Sequence, residues 1–170
     1  MFTKSQEASA SSVTDMLRED HRKVKGLFEK FEQADDPNAK QQIVETALME
    51  LEVHAKLEEE LIYPAIRTEI DDDELMDEAL EEHHVVHGLI GELKKMKPSN
   101  HRYDAKFTVL AENVKHHIKE EESDMLPKAE EDCQIDWDAL CPQVMKRKEQ
   151  LLAQSRATSK SSPNKAPKKK

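Results

Sequence analysis

The chain carries an internal repeat that puts ionisable side chains on stripes that should be apolar. The signature His-x-x-x-Glu-Glu, with a proline ten residues after the histidine, occurs from His54 to Glu59 and Pro64, and again from His117 to Glu122 and Pro127. A second echo precedes each copy, where the run from Asp20-His21 to Leu27-Phe28 aligns without gaps on that from Glu82-His83 to Leu89-Ile90. A unit of about sixty residues, an acid-His helix followed by a His-x-x-x-Glu helix, is thus present twice. Residues four apart on a helix share a face, so each His-x-x-x-Glu aims an imidazole and a carboxylate at one point. Four such helices converging on one axis make a metal site in a bundle core.

Three glycines in 170 residues, and abundant Glu, Lys, Leu, Ala and Met, predict an all-α chain. Asp35-Asp36-Pro37 ends one helix and caps the next, Asp71-Asp72-Asp73 opens a third, and Pro98-Ser99-Asn100 separates it from a fourth. The predicted helices span 12–33, 38–68, 73–96 and 103–129, with a shorter fifth at 136–154.

The apolar stripes decide which side chains face inward. They read Leu17, His21, Val24, Phe28, Phe31 on the first helix and Ile43, Ala47, Leu51, His54, Glu58, Leu61 on the second. The third gives Leu75, Ala79, His83, Val86, His87, Ile90, Leu93, and the fourth Phe107, Leu110, Val114, His117, Glu121. Burying Glu58 and Glu121 beside five imidazoles without a cation would cost several kcal/mol for each charge, and a dinuclear metal centre removes that cost. His84 and His116, each one residue from an inward histidine, read as surface residues or as supports behind the ligands, and His101, in the connection before the fourth helix, as exposed. Lys25 stands where the second unit has His87. With two bridging carboxylates, five histidines divide three and two, which leaves the second ion an open position for dioxygen, peroxide or nitric oxide. Imidazole-rich ligands with carboxylate bridges suit two Fe ions with an oxo or hydroxo bridge, with Zn or Mn as substitutes.

At these residues the chain resembles the hemerythrin family, in its bacterial HHE cation-binding branch. The likeness runs from about Asp20 to Pro127, on Asp20-His21, His54-x-x-x-Glu58-Glu59 with Tyr63-Pro64, Glu82-His83-x-x-x-His87, and His117-x-x-x-Glu121-Glu122 with Pro127. It implies an up-down-up-down four-helix bundle around a non-haem di-iron centre. The implied metal ligands are His21, His54, Glu58, His83, His87, His117 and one of Glu121 and Glu122. The internal repeat favours Glu121. The family's oxygen carriers, with an aspartate five residues after the histidine, favour Glu122, and Glu59 is a further alternative. The segment from Ile135 to Lys148 resembles the short fifth helix of single-domain relatives, with Trp137 packing it on the bundle.

The expected organisation is a flexible N-terminus at 1–11, the bundle at 12–130, the C-terminal helix at 131–155 and a disordered basic tail at 156–170. That tail holds six of the 26 basic residues and no acid, which leaves 20 against 36 acidic residues in the body, a net charge of −16 that disfavours nucleic acid there. Cys133 and Cys141 lack metal or redox spacing and read as reduced packing residues. Without a long apolar segment or a leader, the expectation is a cytoplasmic monomer with no transmembrane segment. The expected function is binding of dioxygen or a related small oxidant, for oxygen binding, storage or sensing. The alternatives are a di-iron enzyme for peroxide decomposition, nitric oxide handling or ferroxidation, and an iron- or redox-responsive sensor.

Overall fold

Helix ends fall where side chains satisfy the free backbone groups. Asp36 caps a helix by accepting a hydrogen bond from Ala39 N at 2.8 Å, with Pro37 as its first residue, and Asp72 accepts from Leu75 N at 3.2 Å to cap another. The structure is a computed structural model that describes residues 4–131 and 134–160. Its elements are α1 (Lys4–Gln33), α2 (Pro37–Leu57), a π-helical turn (Glu58–Ile62), α3 (Tyr63–Arg67), α4 (Asp73–Lys95), α5 (Tyr103–Glu120), a second π-helical turn (Glu121–Met125), α6 (Leu126–Glu131) and α7 (Trp137–Lys160). The second and fourth long helices of the bundle are therefore α2 with α3 and α5 with α6, each joined through a π turn. Helix α1 packs against α2 and α5, α4 against α5 and α2, and α7 lies on α1, α2 and the first π turn.

The π turns explain the proline in each repeat. Pro64 and Pro127 have no N–H to give an α-helical partner, and the chain widens one turn earlier, where Tyr63 N–H bonds Glu58 O and Leu126 N–H bonds Glu121 O, five residues back. The inserted residue turns everything after it by about 100° relative to an unbroken helix. As a result the buried stripe of the second helix continues through Ile62, Tyr63 and Ile66, and the expected Leu61 is only partly buried.

Two apolar clusters fill the bundle, with the His/Glu layer between them. One gathers Val13, Leu17, Leu57, Ile62, Ile66, Met76, Met125 and Leu126 with Trp137 and Val144 of α7. The other holds Val24, Phe28, Leu51, Val86, Ile90, Leu110 and Val114, with Phe31 and Phe107 rings 4.6 Å apart. Along α1 the order is Leu17, His21, Val24, so the helix crosses from one cluster to the other through its histidine.

The first and last helices are longer than expected. Helix α1 begins at Lys4, inside the segment 1–11 expected to be flexible, because Ser, Glu and Ala without Gly or Pro give nothing to stop it. Helix α7 runs to Lys160, past the expected end at 154 and into the tail, again with no breaker before Ser161. Residues 1–3 and 161–170, and Cys133, lie outside the described residues. Cys141 is a free, partly buried thiol against the first cluster. Among the described residues no helix is long and apolar enough to cross a membrane.

Trp137 is fully buried and is the chain's single tryptophan. Trp137→Ala is expected to cost about 3–5 kcal/mol, read as a lower urea midpoint by far-ultraviolet circular dichroism.

Candidate metal centre

Four imidazoles meet in two pairs at the bundle axis. His21 Nε2 and His54 Nε2 lie 3.1 Å apart, and His83 Nε2 and His117 Nε2 lie 3.2 Å apart. Glu58 spans the pairs, with Oε1 2.9 Å from His54 Nε2 and Oε2 3.2 Å from His83 Nε2. Glu121 spans them from the other side, its Oε2 lying 3.1 Å from His21 Nε2 and 3.9 Å from His117 Nε2. All six residues are buried. Ligands bound at about 2.1 Å in adjacent positions around one ion are about 3 Å apart, so these spacings match the edges of coordination polyhedra.

Each histidine is oriented from behind. His21 Nδ1 is 2.8 Å from Glu122 Oε1, His83 Nδ1 is 2.8 Å from Glu59 Oε1, His117 Nδ1 is 2.7 Å from Glu82 Oε2, and His54 Nδ1 is a longer 3.5 Å from Asp20 Oδ2. A carboxylate only accepts, so in the neutral imidazole each holds the proton on Nδ1 and leaves the Nε2 lone pair facing its neighbour. Both oxygens of Glu58 and Oε2 of Glu121 are buried with no hydrogen-bond donor. Converging lone pairs and orphaned carboxylate oxygens are repulsive unless cations sit among them. Among the described residues, His21, His54, Glu58 and Glu121 form one group whose donors fit a cation, and Glu58, His83 and His117 form another, with Glu58 common to both.

Protons and metal compete for this place. Burial alone would lower the His54 imidazole, but Glu58 and Asp20 outweigh it and raise its pKa to about 10. His83 is also raised, with Glu58 and Glu59 overcoming burial, and the Glu58 carboxyl is held well below its ordinary range against burial by His54 and His83.

Of the eight residues expected as ligands, His21, His54, Glu58, His83, His117 and Glu121 come together at the axis, and His87 and Glu122 stand outside that layer. His87 is part-exposed, one helical turn beyond His83, and its Nε2 is 2.9 Å from Glu59 Oε1. With His83 and Glu59 it makes a separate group whose ligand atoms lie within 4.8 Å of one another. Glu122, at the position the family resemblance favoured, lies behind His21 because the preceding Glu121 already occupies the inward face. Glu59, weighed as an alternative ligand, has the matching place behind His83. Lys25 stands 3.9 Å from Glu122 as His87 stands beside Glu59, so the repeat is broken among the supporting residues.

The sequence reading missed Tyr63. Its hydroxyl is 3.4 Å from His83 Nε2 and 3.3 Å from His117 Nε2, and it donates to Glu121 Oε1 at 3.3 Å. Burial first, then Glu121 and Glu58, push the phenol well above its ordinary pKa. The repeat held the signal, since Tyr63 aligns with Leu126 and is the polar member of that pair. It also missed Lys148, which reaches from α7 to Asp20 at 2.6 and 2.8 Å.

Beside the imidazoles is a cavity of about 30 Å³, walled by Val24, Leu51, Ala55, Val86, Val114 and Ile118. Of the apolar stripe residues next to the histidines, Leu51, Val86 and Val114 line it, whereas Leu61 packs with the first cluster and Ile90 with the second, away from the lining.

Fold and site together define a helical bundle built to hold cations on histidine and glutamate. The chain belongs to the hemerythrin family, whose HHE cation-binding domain model matches residues 12–129. It is similar in fold to a hemerythrin HHE cation-binding domain-containing protein of Mycobacterium kansasii, with a TM-score of 0.73 at 24% identity over 87% of this chain and 91% of that one. It is also 34% identical over 115 residues to a Nostoc sp. protein described as a DNA nickase. That match takes in 66% of this chain and 32% of the relative, so the chain spans about a third of the relative's length.

Metal uptake by the metal-free protein should displace the His54 proton. A pH-stat titration should record proton release, and apparent affinity should rise from pH 6 towards the His54 value of about 10. That proton's contribution to metal-free folding is fully present below the ordinary pKa of 6.5 and is lost as pH rises through about 10. A pH-independent affinity would contradict the competition.

Proposed function

We propose that the chain is a non-haem di-iron protein that binds dioxygen or a related small oxidant. The observation that carries this reading is the set of four inward Nε2 lone pairs spanned by two carboxylates with orphaned oxygens. His21 and His54 would hold one ion, His83 and His117 the other, and Glu58 and Glu121 would bridge them. Bound iron supplies the electrons that an incoming oxidant takes up. The remaining work belongs to the chain.

The cavity supports a small apolar guest. Its volume of about 30 Å³ exceeds the roughly 10–15 Å³ needed for one water, so a guest of a few atoms fits. Val24, Leu51, Val86 and Val114 offer such a guest no hydrogen bond, which excludes water from the imidazoles. On the Glu121 side, Tyr63 stays protonated and holds a hydrogen bond that can be given up to a reduced oxygen. This phenol favours a second reading, in which the same centre turns over a peroxide-class oxidant, because catalysis needs a proton donor and carriage does not. The nicking activity named for the Nostoc relative is not adopted, since the body charge repels a nucleic-acid backbone.

The test is anaerobic iron loading with metal analysis, followed by absorption spectra as air is admitted and removed. Two irons per chain and a charge-transfer band that comes and goes with air are expected. Irreversible oxidation, loss of the band in Tyr63→Phe or peroxide turnover would favour the enzyme, and absence of bound iron would end the di-iron reading. Leu51→Phe, which narrows the cavity and replaces no ligand, should keep two irons and slow the reaction with air by roughly tenfold or more.

A further inference from the structure

The two halves of the repeat differ in what lies outside their histidines. In the first, Asp20 stands behind His54 and is held by Lys148 of α7. The residues there that align with His116 and Glu120 are Val53 and Leu57, both buried against the cluster that includes α7. In the second half, Glu82 stands behind His117 and turns its other oxygen outward, 3.4 Å from His116 Nε2. His116 in turn lies 3.2 Å from Glu120 Oε1, one helical turn along α5. Where one half presents apolar side chains to a covering helix, the other presents an imidazole and two carboxylates to solvent.

We propose that Glu82, His116 and Glu120 form a surface site that captures a divalent metal ion and delivers it to the His83–His117 half of the buried centre. One ligand atom from each residue lies within 4.8 Å of the others, close enough for a single ion to draw them together. The mixed nitrogen and oxygen donor set suits Fe(II), Mn(II), Co(II) or Zn(II) in preference to Mg(II). With His116 61% exposed, the ion can bind while still carrying water, as a weak transit site requires. Glu82 makes the connection, since Oε1 faces the outer cluster while Oε2 faces His117 Nδ1 at 2.7 Å. The excess of acidic over basic residues in the body concentrates cations at such a mouth. On the other side Lys148 repels cations and α7 covers the approach, so entry is one-sided.

This inference rests on the buried centre binding two ions, and the experiment separates the two claims. Metal-free full-length chain is mixed with Co²⁺ alone, and uptake is followed by Co(II) absorption in a stopped-flow instrument and by equilibrium titration. Wild-type protein should take up two tight Co²⁺ and a weaker third. The double variant His116→Ala with Glu120→Gln should keep the two tight ions, lose the third and load roughly tenfold more slowly at low Co²⁺. A surface control with the same residue-type changes, His101→Ala with Glu29→Gln, should load at the wild-type rate. Unchanged loading in the double variant, or equal slowing in the control, overturns the capture site alone. Failure of the wild type to bind two Co²⁺ overturns the buried centre and the capture site with it.

Discussion

The central constraint is electrostatic: four imidazoles and two carboxylates face one another in the buried interior of the bundle, and only positive charge reconciles them. A bundle of this length could fill its axis with leucine and be more stable without metal. Instead the polar layer cuts the hydrophobic interior into two clusters, each of which must pack well enough on its own to hold the helices in register across the gap. The supporting carboxylates Asp20, Glu59, Glu82 and Glu122 belong to the same arrangement, because a histidine free to rotate would turn its Nε2 away from its partners.

Helix irregularity at the site follows from that need. An unbroken α-helix would put Glu58 and Glu121 on the inward face but rotate Tyr63 and Leu126 away from it. One π turn in each repeat keeps both sets inward, and the proline that follows removes a donor that would compete for the α-helical pattern. Helix α7 then packs on α1, α2 and the first π turn, placing Trp137 in the first cluster and Lys148 against Asp20.

The fold was legible because its signals are redundant. Periodicity, caps at Asp36 and Asp72, and the repeat all favour the same four helices, and the family resemblance covers the same stretch. The inner residues were legible because His-x-x-x-Glu at a helical spacing admits few other geometries. What was not legible depends on one residue of phase or on depth along the axis. His87 shares the stripe with His83 but sits a turn further out, at a depth that periodicity does not measure. Tyr63 was read as part of a motif without a role, because the π turn that swings it inward has no signature beyond the proline. Glu121 and Glu122 could not be separated from sequence, since both lie within a turn that is not α-helical. The contact from Lys148 to Asp20 spans 128 positions and leaves no local trace.

The supporting contacts also cross between the repeats. Glu122 of the second unit steadies His21 of the first, and Glu59 of the first steadies His83 of the second. Glu58 likewise reaches His83, and Glu121 reaches His21, each in the opposite unit. The halves are thus clasped like interlocked fingers, and neither holds a complete half-site alone. An ancestral single unit with this pattern would have needed a second copy of itself to bind metal. In the present chain, metal retention would monitor assembly, because a half that loses its partner keeps its own pair of histidines but loses the carboxylates the other half lends to them.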